Sequence, residues 1–166
     1  MITIHQYGSK YFVFDAKGKS FEKKVVGTLS GTLPQFPLQN TFYGLPLLLL
    51  PEEVELVIRH GWAQIVAKKK STTSDLCKNP LFNDLWSKGY YITSGIKFGG
   101  NYLLYEKDPM CSHSKFIVEL LLPDEIISPL DIIRAGRLAT NVKKTHVLAG
   151  TVDDMMTYYS IEWAGF

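Results

Sequence analysis

Tyr105, His113 and Lys144 supply a phenol, an imidazole and an ammonium. Together these groups can cleave an RNA strand without a metal ion. One takes the proton from a ribose 2′-hydroxyl, one protonates the departing 5′-oxygen, and one neutralises charge on the five-coordinate phosphorus. Imidazole titrates near physiological pH and suits the acid. A free phenol has a pKa of about 10 and is a weak base at neutrality unless a nearby cation stabilises the phenolate. Lys144 is the candidate cation, and an ammonium is a compact point charge that also fits a phosphate. Each residue has a plain structural reading as well. Tyr105 is one of nine tyrosines and reads as packing at a sheet edge, His113 as a surface or capping imidazole, and Lys144 as half of a solvated pair with Lys143.

The pattern around these residues predicts the elements that position them. Tyr90–Thr93 and Asn101–Tyr105 read as strands around Gly95 and the Gly99–Gly100 turn, so Tyr105 ends a strand. Phe116–Leu122 reads as a buried strand, with His113 just before it. Ser128 as N-cap and Pro129 at the first position open a helix whose face includes Leu130, Ile133, Ala135 and Leu138. Thr145–Ala149 and Tyr158–Trp163 read as the last strands. Lys143 and Lys144 then fall at a strand start, where alternation sends them to opposite faces. Upstream, Ser74–Lys88 has helical spacing weakened by Pro80.

The N-terminal half predicts strands at Tyr11–Phe14, Lys24–Leu29 and Trp62–Val66. A helix runs from Pro51 to His60, with Glu52 and Glu53 complementing its dipole. His5, His60 and His146 read as surface or capping imidazoles. The order of elements predicts an α/β (α+β) fold, with a small N-terminal α/β domain over residues 1–70 and a C-terminal domain with a mixed sheet over 71–166.

Composition narrows the class. Hydrophobic residues make up 46% of the chain, enough for packed cores. The apolar run Leu45–Leu50, broken by Pro46, is too short to span a bilayer, and Met-Ile-Thr-Ile-His lacks the features of a secretory signal. Two cysteines, Cys77 and Cys111, make neither a disulfide framework nor a metal-ligand pair, so a reducing compartment, cytosol or nucleus, is expected, and no cofactor or metal is expected. A net charge of +2 is low for a freestanding RNA-binding domain, so RNA binding is expected to be shared with partners or concentrated on one face. Lys68–Lys70 reads as a solvated linker.

The stretch Gly95 to Phe116, continued by Ala135-Gly-Arg-Leu and Lys144-Thr, resembles the catalytic subunits of the tRNA splicing endonuclease family. The family pattern is a Tyr followed by Asp-Pro, a His trailed by Ser or Ala and an aromatic, and a later Lys. Here Tyr105 precedes His113 by eight residues and His113 precedes Lys144 by 31. A second block, Gly44-Leu-Pro-Leu-Leu-Leu-Leu-Pro-Glu-Glu53, is similar to the eukaryotic subunit that cuts the 3′ splice site. Cys111 and Ser112 depart from the basic or aromatic residues of relatives. The short junction Lys68–Ser74 leaves open a minimal eukaryotic form or an archaeal-like one.

The resemblance implies a restriction-endonuclease-like nuclease domain and assigns Tyr105 as base, His113 as acid and Lys144 as charge stabiliser. It implies that Arg137 and Trp163 clamp a bulge base for another subunit's site. It further implies that Asp153 and Asp154 dock into a partner's basic cleft, and that the final strand pairs across a subunit interface. The implied substrate is precursor tRNA, cut to a 2′,3′-cyclic phosphate and a 5′-hydroxyl. The implied partners are other endonuclease subunits in a heterotetramer or an archaeal-like homo-oligomer, in the nucleus for a eukaryotic form and the cytoplasm for an archaeal one. Two alternatives remain. One is a non-catalytic subunit of the same complex. The other is a metal-dependent DNA nuclease, for which Glu106 and Asp108 lack a Glu-x-Lys partner on a following strand.

Overall fold

In the computed structural model the described residues are 2–14, 28–29, 46–67, 79–109, 111–153 and 155–164. Asp154, Cys77 and the Lys68–Ser74 junction lie outside them, as do most of the predicted Lys24–Leu29 strand and residues 74–78 of the predicted helix. The chain divides into two compact units, Met1–Asn79 and Pro80–Phe166, each with a five-stranded mixed sheet.

In the first unit, alternation in Ile-Thr-Ile-His-Gln-Tyr forms β1 (Ile2–Tyr7), a strand the sequence reading passed over. It continues through β2 (Lys10–Val13), β3 (Thr28–Leu29), β4 (Leu47–Leu49), α1 (Pro51–Arg59) and β5 (Ala63–Ala67). The order is β3-β4-β2-β1-β5, with β1 and β5 parallel and the other pairs antiparallel. Ile4, Val13, Leu49, Val54, Leu56 and Val57 are the buried core. Each such side chain contributes about 1.5–3 kcal/mol by leaving water.

α1 starts as its sequence predicts. Pro51 occupies the first turn, and the Leu50 N–H donates to the Glu53 carboxylate at 2.8 Å. Glu53 is itself buried. Burial pushes its pKa well above the ordinary carboxylate value; the Leu50 hydrogen bond opposes this and the nearby Glu52 charge adds to it. At the other end, His60 Nδ1 lies 2.9 Å from the Leu56 carbonyl, so His60 does cap its own helix.

The second unit runs α2 (Pro80–Ser87), β6 (Tyr91–Ser94), a 3-10 turn (Ile96–Phe98), β7 (Tyr102–Tyr105), β8 (Phe116–Leu120), α3 (Pro129–Asn141), β9 (Thr145–Val152) and β10 (Met155–Ile161). Pro80 is the first residue of α2 rather than a break inside it, which suits a residue without an N–H. The order is β10-β9-β8-β7-β6. β8 and β9 are parallel, joined through α3, and every other pair is antiparallel. At the turn into β7, a Cβ on Gly100 would lie 2.7 Å from Ile117 Cγ2 and 2.8 Å from the Val118 carbonyl oxygen, so only glycine passes this close to β8.

α3 has its predicted cap: Ser128 Oγ accepts from the Asp131 N–H at 3.2 Å. Its buried face differs from the predicted one. Leu130 and Leu138 are exposed, while Gly136 and Ala139 are buried. A Cβ on Gly136 would lie 3.3 Å from Ile161 Cγ2. Small residues let this helix sit close, so size rather than hydrophobicity selects the packed face. A polar cluster joins α2 to β10, where the Tyr158 hydroxyl and the Lys88 ammonium both donate to Asp84. Burial pushes Asp84 upward, but the two hydrogen bonds and the Lys88 charge outweigh it and hold the carboxyl below its ordinary value.

Candidate active site

Sheet topology explains why three residues distant in sequence converge. β8 and β9 are parallel with Phe116 opposite Thr145, so both strands begin at the same edge of the sheet. His113 stands three residues before β8 and Lys144 one residue before β9. β7 is antiparallel to β8 with Leu104 opposite Phe116, so β7 ends at that edge, and its last residue is Tyr105. Backbone bonds fasten the three together: Lys115 N–H donates to the Leu104 carbonyl at 2.9 Å and Thr145 N–H to the Lys115 carbonyl at 3.0 Å.

The loop from Tyr105 to β8 is braced at both ends. Lys115 Nζ donates to Glu106 Oε1 at 2.6 Å. Ser112 Oγ reaches the carbonyls of Lys107 and Asp108 at 3.1 and 2.9 Å, and the Cys111 N–H bonds the Asp108 carbonyl at 2.9 Å. The departures at Cys111 and Ser112 therefore lie in a loop whose folding Ser112 supports. His113 projects from it, exposed to solvent.

Lys144 reaches the same loop. Its Nζ donates to the Ser114 carbonyl at 3.0 Å and lies 5.6 Å from the Phe98 ring centroid. Partial burial lowers its pKa from the ordinary lysine value. Among the described residues it has no carboxylate partner, so the ammonium is partly desolvated and available to an anion. Tyr105 is only 2% exposed, grouped with Leu103, Ile117 and Ala139, and Phe98 and Val142 pack against that group. Phe98 thus packs on the Tyr105 cluster and also meets the Lys144 ammonium. Sequence reasoning missed Phe98 and the Ser114 carbonyl, because a ring in a turn and a backbone oxygen carry no sequence signal.

Strand alternation does not govern Lys143 and Lys144. Both precede β9, and Lys143 has φ of +55°, in the left-handed region. Its N–H bonds the Thr140 carbonyl at 3.1 Å and the Lys144 N–H bonds the Ala139 carbonyl at 2.8 Å, the paired bonds of a Schellman helix end. That turn, rather than strand alternation, sets how the chain passes from Lys143 to Lys144. Lys115, Lys143, Lys144 and Trp163 line a surface cavity of about 340 Å³.

The remaining predicted residues fall as follows. The Arg137 guanidinium stacks over the Trp163 ring at 4.6 Å, and Trp163 is 38% exposed rather than core. Asp153, at φ of +49°, sits in the turn between β9 and β10, as a hairpin reading expects. β10 lies at an edge of the sheet and exposes Met155 and Tyr159. His146 is corrected. It is not a surface imidazole but 2% exposed, with Nε2 3.0 Å from Glu119 Oε2, because β9 is an interior strand. No three His, Cys, Asp or Glu side chains cluster as metal ligands among the described residues, and no helix there is long and apolar enough to cross a membrane.

Comparison with known proteins places this edge in a family. The family described as tRNA intron endonuclease, catalytic C-terminal domain, matches residues 77–159, and the TSEN34-like N-terminal domain matches residues 2–68. The chain belongs to the tRNA intron endonuclease family. It is 36% identical over 85 residues to the human protein named tRNA-splicing endonuclease subunit Sen34, covering 51% of this chain and 27% of that one. It is 31% identical over 137 residues to a tRNA-splicing endonuclease of Pyrococcus horikoshii, covering 74% and 79%. A Thermococcus gammatolerans tRNA-splicing endonuclease aligns over both chains in full at 29% identity. The matched part thus spans about a quarter of the human relative and less than half of the tRNA-splicing endonucleases of Hyperthermus butylicus and Methanopyrus kandleri, but 79% of the Pyrococcus horikoshii one.

Proposed function

We propose that this chain is a catalytic subunit of a tRNA splicing endonuclease that cuts precursor tRNA by attack of a ribose 2′-hydroxyl on the adjacent phosphorus. Tyr105 takes the hydroxyl proton, the Lys144 ammonium stabilises the five-coordinate phosphorus, and His113 protonates the departing 5′-oxygen. The P–O5′ bond breaks as the P–O2′ bond forms, leaving a 2′,3′-cyclic phosphate and a 5′-hydroxyl. The observation that carries this reading is the partly desolvated Lys144 ammonium held 3.0 Å from the Ser114 carbonyl, one residue from His113. Because Tyr105 is covered in the free chain, the base role requires bound substrate to gain access to its hydroxyl.

The TSEN34-like N-terminal half favours the 3′ splice site and a eukaryotic, nuclear complex of several subunits. In that reading the domains divide at residues 70 and 71. The stacked Arg137–Trp163 pair holds a bulge base for a partner's site, Asp153 and Asp154 dock into a partner, and the β10 edge is covered by another subunit. The test is cleavage of an intron-containing precursor tRNA by the assembled complex in excess chelator, followed by end-group analysis. Cyclic phosphate ends without added metal are expected. Cleavage only after Mg²⁺ is returned, with 5′-phosphate ends, contradicts the reading.

A further inference from the structure

Lys143 occupies a backbone position that ordinarily selects glycine. In a Schellman end, the left-handed residue is usually Gly because a Cβ costs about 1–2 kcal/mol there. Lysine at a helix C-terminus gains only about 0.3–1 kcal/mol from the dipole when exposed. Dipole complementarity therefore does not by itself account for lysine at this strained position, and strain of this kind concentrates at functional sites.

The cavity beside it points to a use. Its lining includes Lys115, Lys143 and Lys144, with Glu162 as the one acidic lining residue among the described residues. Three lysines at one opening favour an anion there, although the Lys115 ammonium is already paired with Glu106. Lys144 reaches the Ser114 carbonyl, on the side of the proposed chemistry. Lys143 is exposed, and the Lys115 backbone is clamped between Leu104 and Thr145. Thr140 also lines the cavity, but its hydroxyl is donated to the Gly136 carbonyl at 2.9 Å, so the lysines are the charged donors there beside Thr145 and Trp163.

We propose that Lys115 and Lys143 form a second-phosphate subsite, binding the backbone phosphate next to the one engaged by Lys144. The subsite positions the strand and takes no part in bond making. It rests on the RNA-cleaving reading above. Lys115 is shared with Glu106, so its contribution is the smaller, and a phosphate competes with that carboxylate for it.

The test uses Lys143→Gly, Lys115→Ala and Glu106→Gln in the assembled complex. Single-turnover cleavage of precursor tRNA is measured against enzyme concentration and salt, alongside anisotropy binding of a short single-stranded oligoribonucleotide. Lys143→Gly removes the side chain while relaxing the backbone, so its melting temperature should not fall by more than a degree or two. Expected are a rise of about fivefold in half-saturating concentration, a maximal rate within about twofold of the parent, and a log–log salt slope smaller by about 0.7. Lys115→Ala should move the same way by less, and Glu106→Gln should tighten binding. An unchanged salt slope in both lysine variants, or a lost maximal rate with unchanged half-saturation, overturns the subsite. Failure of the parent complex to cleave strikes the functional reading instead, and the oligoribonucleotide binding still decides the subsite.

Discussion

Each five-stranded sheet contains one parallel pair, β1–β5 in the first unit and β8–β9 in the second, and the two pairs begin very differently. In the second, the residues just before the paired strands include His113 and Lys144. In the first, β5 is preceded by His60, Gly61 and Trp62. There the His60 ring serves as a helix cap on Leu56 and stacks on Trp62 at 4.5 Å. Both units carry an exposed histidine near a parallel start, but His60 is tied to Leu56 and Trp62, whereas His113 stands one residue from the carbonyl that holds the partly desolvated Lys144. Topology can gather residues at an edge, but what they do there depends on whether local bonding consumes their polar groups.

The largest expected effect breaks this contrast directly. His113→Ala or Lys144→Ala should slow cleavage at one junction by about 10²–10⁴-fold, while the other junction is still cut and the complex still assembles. His60→Ala should leave both rates unchanged and cost at most about 1 kcal/mol of stability. Loss of both junctions in either site variant would point to broken assembly, and a rate effect of His60→Ala would erase the distinction between the units.

A core substitution in each unit sharpens it. Ile117 and Ile4 are both fully buried, so Ile117→Ala and Ile4→Ala should each destabilise by about 2–5 kcal/mol in urea titrations. Only Ile117 belongs to the cluster that holds Tyr105, so only its loss should also slow cleavage at saturating substrate in complexes that remain folded.

The smallest effect is a difference in pH response. Glu53 has a raised pKa in the folded first unit, so its contribution is fully present below the ordinary carboxylate pKa and is lost as pH rises through the raised value. Asp84 in the second unit is lowered, so its contribution is present above the ordinary value and is lost as pH falls through the lowered one. Hydrogen exchange resolved by unit should show Glu53→Gln flattening the loss toward neutral pH and Asp84→Asn flattening the loss in acid. Parallel pH responses in the two units would contradict these assignments.

Much of the candidate site was legible because chemistry restricts residue types. A phenol, an imidazole and an ammonium at family spacing, with the Ala-Gly-Arg-Leu helix end between them, mark the edge in the sequence alone. Pro51 with Glu52 and Glu53, and Ser128 with Pro129, likewise mark helix starts through backbone chemistry. What remained hidden depended on three-dimensional proximity. The packed face of α3 uses Gly136 and Ala139, which hydrophobic periodicity ranks below Leu130 and Leu138. His146 is buried because β9 is interior to a sheet whose order the sequence does not encode locally. The left-handed turn at Lys143 was invisible because lysine, unlike glycine, does not advertise a positive φ.

The claim that His113 and Lys144 act as one unit at the shared edge is tested most directly by a double-substitution cycle. Single-turnover cleavage at the affected junction would be measured for His113→Ala, Lys144→Ala and the pair. The account expects the double variant to be about as slow as the slower single one, as for groups that act together in one transition state. Multiplied losses, or a parental rate in either single variant, would contradict it.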